Sequence, residues 1–401
     1  MTDTITSGPA TTAPTRRGLT ERLGNELRFV PVAVGLLALF LFFSLQSDVF
    51  LTSRNLNNLL IQSTVTGIIA LGLVFVLLTG EIDLSVAATS GVASVLMAKM
   101  VVDAGLPVPM AMALGVLAGA VIGSISGRWI TLIGVPSFVV TLGVGLLLNG
   151  VQLLLLPRTG RYNLLNTGVE DLAATYVTGA LAWVLVLGAI GLFALARMTT
   201  HLSRLRAELP SSVATGVALP TGIVAALLIA MLLFLENLRG LPMPVILFFG
   251  LLGVMSYIAS ETRFGVYLYA IGENAEAARR AGIRVDRIKI TAFAIAGALA
   301  AFGGILSASR ILGVSVSSGG GVGGGALLLE SIAAAVIGGV SLFGGRGMVV
   351  GALFGALIIA TVSNGLNLMG VANEARLIVT GLLLVIAVSI DRGIEKLAGN
   401  R

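Results

Sequence analysis

Apolar stretches of about 20 residues recur from residue 29 to residue 390, and charged side chains sit mostly in the gaps between them. A helix needs about 20 residues to cross a ~30 Å hydrocarbon core, and inside it every backbone group must be satisfied by the element itself. The pattern therefore predicts an all-α fold, a polytopic transmembrane helical bundle. Stretches fall near 29–47, 56–79, 82–103, 106–127, 134–156, 175–196, 211–235, 243–260, 288–309, 326–343, 347–367 and 376–390. That is about 12 spans, or 10 if the two short stretches, 82–103 and 326–343, are broken or re-entrant rather than full crossings. Composition agrees: 56% of the 401 residues are hydrophobic and 11% charged, against roughly 25% charged in a soluble domain. Such a chain cannot cover itself with polar groups, so its outer surface must meet lipid.

Residues 1–28 read as a disordered basic cytoplasmic tail, 29–390 as the transmembrane domain and 391–401 as a cytoplasmic tail. The first apolar run is longer than a signal-peptide core and lacks a small-residue cleavage site, so it reads as a retained span. With twelve spans, 18 of the 25 Lys and Arg fall on the side that holds both termini, which places the termini in the cytoplasm. The same distribution explains the net charge of +6 as topology and gives no reason to expect nucleic acid as a partner.

Gly115, Gly119, Gly123 and Gly127 share one helix face by spacing, as do Gly347, Gly351 and Gly355. Small residues at four-residue intervals let helices approach closely, so both sets read as packing seams. There is no Cys, the single His201 lies in a basic loop without a second ligand, and metal is not expected. The run SSGGGVGGG at 317–325 lacks the Lys-Ser/Thr of a phosphate-binding loop and reads as an external flexible loop. Glu330 lies just inside a span, where Arg310 or Arg376 would be its ion-pair partner. No nucleophile, base or metal constellation stands out, so an intramembrane enzyme is not indicated.

Residues 261–289 form the most informative hydrophilic segment. Asn274 suits an N-cap, Glu276 the first helical turn, Arg279 and Arg280 the last, and Gly282 the stop, with Tyr267 and Tyr269 near the interface. Glu276-Ala277-Ala278 followed by Gly282 resembles the loop through which permeases of ABC importers dock on their ATPase, and AIGENAEAARRAGI is similar to the ribose and xylose type of monosaccharide permease. GEIDLSVA at 80–87, VPSFVVTLG at 135–143 and AAAVIGGVSLFGGRG at 333–347 resemble further motifs of that family, in the same order. Two departures stand out: Ala87 replaces a usual Gly, and Glu81 stands where Gly is frequent. The spans at 175–196 and 211–235 resemble the extra segment of the xylose-type branch.

The resemblance implies a multi-pass permease of the bacterial plasma membrane that carries a monosaccharide by alternating access. It also implies a homodimer or pseudo-symmetric dimer, a cytoplasmic ABC ATPase docked at Glu276, Ala277, Ala278, Arg279, Arg280 and Gly282, and an extracytoplasmic sugar-binding protein. No cofactor is expected on this chain; ATP and Mg belong to the ATPase. A path that holds sugar weakly would use uncharged polar and aromatic groups, and Gln62, Phe138, Thr141 and Asn149 are the candidates. Glu81, Asp83 and Ser85 read either as a hinge or gate beside that path or as a turn that caps the next helix. Permeases for branched-chain amino acids or nucleosides share the architecture, and an ion-coupled secondary transporter is the alternative from another class, one disfavoured by the few ionisable residues at mid-span.

Overall fold

The computed structural model describes residues 29–209, 211–320 and 326–399; the N-terminal tail and residues 321–325 of the glycine run lie outside them. Eight helices among the described residues are long and apolar enough to cross a membrane, and three apolar helices are shorter. The chain is thus a polytopic helical membrane protein.

At the centre stands α2 (Ser53–Leu78), started by Thr52, whose hydroxyl accepts the Asn55 N–H. Nearly every side chain from Ser63 to Leu78 is enclosed, and 89% of its most apolar stretch is buried. Around it pack α12 (Val285–Ile311), α13 (Ala326–Ile337), α14 (Gly351–Leu368) and α9 (Met243–Glu261). The first turn of α2 is registered on α14 by a reciprocal amide pair, each of Asn55 and Asn364 donating to the other at 2.9 Å.

On the far side of α12 lie α3 (Val86–Val102) and α4 (Val108–Ile133), with α5 (Ser137–Leu155) packed on α3. Pro109 in the first turn starts α4 where an unbonded amide is harmless, and Gly134 ends it at φ +75°, a left-handed position that suits glycine. Gly115, Gly119, Gly123 and Gly127 are the contact line of α4 on α12, the most extensive helix contact in the fold. A methyl group on Gly123 would sit 2.0 Å from the Phe293 carbonyl oxygen, and one on Gly119 2.3 Å from that of Gly297. A second close approach joins α13 and α14, where a methyl on Gly355 would meet the Ala334 oxygen at 1.8 Å and one on Gly351 the Gly338 oxygen at 1.9 Å.

Gly347 does not share that face. The helix begins only at Gly351, and Gly347 lies in the preceding turn at φ +135°, a conformation that a helix cannot contain. Two further expectations shift. Helix α13 ends at Ile337, twelve residues from its start, so the stretch 326–343 is helical in its first part only. The last helix, α15 (Asn373–Gly399), runs past 390 through residues read as a tail; the sequence there remains helix-forming, and a helix can leave the apolar layer without stopping.

Helices α7 (Gly179–Arg206) and α8 (Leu219–Glu236) form a hairpin that packs mainly on itself, with 11% of each apolar stretch buried. Before α7 comes a single turn, α6 (Asp171–Ala174). The hairpin's ends are pinned together by two short antiparallel strands, β2 (Tyr176–Val177) and β3 (Leu241–Pro242). A second small pair, β1 (Arg161–Asn163) with β4 (Gly313–Ser315), joins the outlets of α5 and α12.

Candidate functional site

The stretch 79–85 between α2 and α3 is not helical. Glu81 lies beside Lys289 near the start of α12, whereas Ser90 lies beside Gly304. Those fifteen residues of α12 correspond to roughly 22 Å at 1.5 Å per residue. The irregular residues 81–85 and the first turn of α3 span that rise between them. Helix α3 itself has 17 residues, about 25 Å, and the irregular stretch completes its traverse of the bundle. The segment 82–103 is therefore a broken passage through the helical bundle, an irregular stretch followed by a helix, with its polar backbone enclosed by protein.

Its backbone is satisfied by the start of α5. The Ile82 N–H donates to Ser137 Oγ at 3.1 Å and the Leu84 N–H to Thr141 Oγ1 at 3.0 Å. Thr141 shares its own proton between the Ser137 and Ile82 carbonyls, at 2.8 and 3.3 Å. Asp83, almost fully buried, accepts the Ser85 N–H at 2.8 Å and the Ser85 hydroxyl at 2.6 Å. The Asp83 and Ser85 side chains thus form a turn together, while the α3 N-cap Ser85 makes no capping bond to the helix. The segments 80–87 and 135–143, far apart in sequence, are one structural unit.

Of the four proposed path residues, Thr141 is buried and spends its hydroxyl on this passage. Phe138 is 53% exposed on the outside of α5, so it lines no enclosed path within one chain; spacing alone left its facing open. Asn149 is half-buried on α5 with an enclosed Oδ1 that has no hydrogen-bond partner among the described residues, and Gln62 is half-buried on α2. The structure thus does not gather the four into one cluster. A residue that sequence reasoning missed is Gln152, buried on the α5 face that carries Ser137 and Thr141. Its Nε2 donates to the Ser315 and Ser318 carbonyls at 2.9 and 3.0 Å, tying α5 to the end of β4 and the loop that follows, and its Oε1 has no hydrogen-bond partner among the described residues. The recurrence of polar residues at 137, 141 and 152 on one face was the available signal.

At the foot of the passage three segments meet. Helix α10 (Arg263–Glu273) is capped by Thr262 and buries Gly265, Leu268 and Ile271. A methyl on its Gly272 would lie 2.0 Å from the Leu78 carbonyl oxygen and 2.2 Å from Gly345 N. Gly345 N in turn donates to Leu78 O at 3.1 Å, and Tyr269 Oη donates to Gly347 O at 2.9 Å. Burial pushes the Tyr269 phenol above its ordinary pKa, which keeps it a donor at neutral pH. The end of α2, α10 and the turn 341–347 therefore touch backbone to backbone.

The short helix α11 (Ala275–Arg280) follows directly. Asn274 Oδ1 accepts the Ala277 N–H at 2.9 Å, and Gly282 at φ +85° closes the far end, with Ile283 N returning to Ala278 O. Only Ala278 is buried, in a small cluster with Ile271 and Val285. Glu276, Ala277, Arg279, Arg280 and Gly282 all face solvent. Glu276 pairs with Arg279 and Arg280, and Arg279 with Asp286, each partner 59% exposed or more; pairs so exposed add little stability. This small surface is anchored by one alanine and otherwise exposed.

Glu81 forms an ion pair with Lys289, which joins the foot of the passage to the first turns of α12. At the opposite end, the Tyr162 hydroxyl and then Lys99 hold the Asp103 carboxyl below its usual pKa. An open cleft of about 470 Å³ lies at that end between the α3–α4 turn and Asn163 and Thr167, away from the broken passage. Elsewhere, His201 is buried with its Nδ1 2.6 Å from Ser211 Oγ, and among the described residues no cluster could hold a metal. Ser363 donates to Glu330, and the Arg376 charge acts on the same carboxylate.

Comparison with known proteins matches this framework. The chain is 34% identical over 328 residues to the xylose transport system permease protein XylH of Escherichia coli, covering 81% of each. It is 33% identical to XylH of Haemophilus influenzae over 78% of this chain and 82% of that one. With the ribose import permease protein RbsC of Escherichia coli it shares 32% identity over 89% of this chain and 92% of the relative. No solved structure matches. The family described as branched-chain amino acid transport system / permease component matches residues 55–388, a range that takes in the broken passage, the α10–α11 surface and the turn beneath them. The chain belongs to that family of permease components, and its role is transport rather than catalysis.

Proposed function

We propose that this chain is the membrane-spanning subunit of an ATP-driven importer that carries a monosaccharide, xylose or a related sugar, across the bacterial inner membrane by alternating access. The similarity to xylose and ribose permeases supports the sugar. The observation that carries the mechanism is the contact at the foot of the passage, where α10, continuous with the exposed α11, abuts Leu78 and the turn 341–347. A push on α11 has backbone to act on, and a close-packed contact transmits displacement instead of absorbing it.

In this reading α11 faces the cytoplasm with both termini, as the Lys and Arg distribution requires. The twelve crossings comprise the eight long helices together with α1 (Phe29–Gln46), α3, α13 and α15. ATP and Mg are held by a separate ATPase docked on Glu276, Ala277, Arg279, Arg280 and Gly282. A second permease copy and an extracytoplasmic sugar-binding protein complete the assembly. The sugar path holds its cargo weakly enough to release it, and Gln62, Asn149 and Gln152 are its candidate lining residues.

Co-purification tests the docking surface. Glu276→Lys should abolish capture of the ATPase and ATP-driven uptake while leaving the permease folded, because Glu276 is exposed and paired only at the surface; Gly282→Asp, at φ +85°, should do the same by straining the stop of α11, and an intact complex in both refutes the surface. Since the chain has no Cys, an Ala277→Cys variant labelled only after permeabilisation would support the orientation, and labelling from outside intact cells would overturn it. The family description favours a second substrate class, branched-chain amino acids. Competition of radiolabelled xylose uptake by excess xylose but not leucine supports the sugar.

A further inference from the structure

Among the described residues, the ion pairs Lys99–Asp103 and those around Glu276 and Arg279 are solvent-exposed, with side chains 45% exposed or more. Glu81–Lys289 differs, with both side chains less than 20% exposed. An enclosed pair is screened less by solvent and salt, and separating it leaves each charge poorly solvated, so it responds to movement of its two elements more than a surface pair does. It is also long-range: Glu81 follows α2 at the lower end of the irregular stretch, while Lys289 sits one turn into α12, just after α11 and its Gly282 stop. The nearest acid along the chain, Asp286, is already engaged by Arg279. Beside this pair, the foot of the passage carries uncharged contacts: Gly345 N donating to Leu78 O, Gly344 packed on Gly80, and Tyr269 Oη donating to Gly347 O.

Uncharged contacts of this kind give a close fit and nothing that pulls across a gap once it opens. A charge pair acts over a longer range and re-forms without exact alignment. We propose that Glu81 and Lys289 form a reversible latch of the transport cycle, closed in the conformation described here, that fastens the foot of the 79–85 passage to α12 and opens when the α11 surface is displaced. The proposal rests on the importer reading above and adds to it the residues that set how tightly the passage follows the ATPase.

The absence of Cys makes a direct test available. A Glu81→Cys/Lys289→Cys variant, in complex with its ATPase and reconstituted in lipid, is treated with a short bifunctional thiosulfonate that bridges two thiols and is released by dithiothreitol. The rate of bridging should differ by about tenfold between nucleotide-free complex and complex holding a non-hydrolysable ATP analogue, the size of shift that a modest population change produces. Equal rates in both states overturn the latch and leave a static tie. Bridging should also reduce radiolabelled xylose uptake by about tenfold or more, with recovery on reduction; full uptake by the bridged protein overturns the proposal. A separate variant, Glu81→Lys/Lys289→Glu, tests the charge: it should restore the uptake lost in each single exchange, and an exchange no better than the singles refutes an electrostatic latch. If the unsubstituted complex shows no ATP-driven uptake of xylose, the substrate reading fails, and the nucleotide dependence of bridging still decides the latch.

Discussion

Thr141 performs three hydrogen-bonding tasks with one hydroxyl, accepting from Leu84 N and sharing its proton between two carbonyls. Replacing it by Val preserves shape and removes every one of those bonds. The Leu84 amide is then left without a partner beside apolar neighbours, which costs about 1–3 kcal/mol. Thr141→Val should lower the melting temperature in detergent and reduce uptake, whereas Thr141→Ser, which keeps the oxygen, should stay close to the parent in both. The residue was visible in the sequence as a hydroxyl in a largely apolar run, but its work was not, because its partner lies 57 positions away. Phe138, three positions earlier and an equally plausible choice on paper, points outward. Glu81 was legible as a departure at a position where Gly is frequent, and Lys289 only as the end of a basic loop; nothing local joins the two.

Helix pairs in lipid are held by fit, since lipid and side chain are equally apolar and burial from water supplies no drive. The α4–α12 seam shows what fit requires. At Gly123 the obstruction is backbone, the Phe293 carbonyl at 2.0 Å from a would-be methyl, so no side-chain rotation relieves it. Gly123→Ala should force the helices apart and cost about 1–3 kcal/mol or more, seen as a drop in thermal stability of the purified protein. Gly188→Ala on α7, where a methyl would meet nothing within 4 Å, should be neutral or slightly stabilising. The four-residue spacing made the seam on α4 readable, because there the helix is continuous. The same spacing misled at Gly347, because a period states which residues would share a face and not where the helix begins. The irregular stretch before α3 was readable only as an alternative, a broken span or a turn at Asp83 and Ser85, because Ile82 and Leu84 are as apolar as any helix interior.

At the scale of the whole molecule, hydropathy marks what enters the membrane and is silent about what then faces lipid. Helices α2 and α8 are both thoroughly apolar, yet the first is 89% buried over its apolar stretch and the second 11%. The α7–α8 hairpin is accordingly an appendage. Its ends meet at the β2–β3 pair, it contributes an even number of crossings, and the surface it covers would be taken over by lipid at little cost. Excising residues 178–240 and joining Val177 to Leu241 through Asn-Gly, a sequence suited to a two-residue hairpin turn, should leave a protein that inserts and captures its ATPase. Loss of the complex would show that the hairpin is integral to the bundle.

The enclosure of α2 has a consequence for biosynthesis. Its neighbours α12, α13 and α14 are encoded more than 200 residues downstream, so at 5–20 residues per second the ribosome needs roughly 10 to 40 s to supply the first of them. Throughout that interval the helix destined for the middle of the protein must wait in the bilayer with its small and hydroxylated side chains, Ser63, Thr64, Thr66, Gly67 and Gly72, turned toward acyl chains. Nascent chains arrested before α12 should thus be the forms that membrane quality-control proteases remove first.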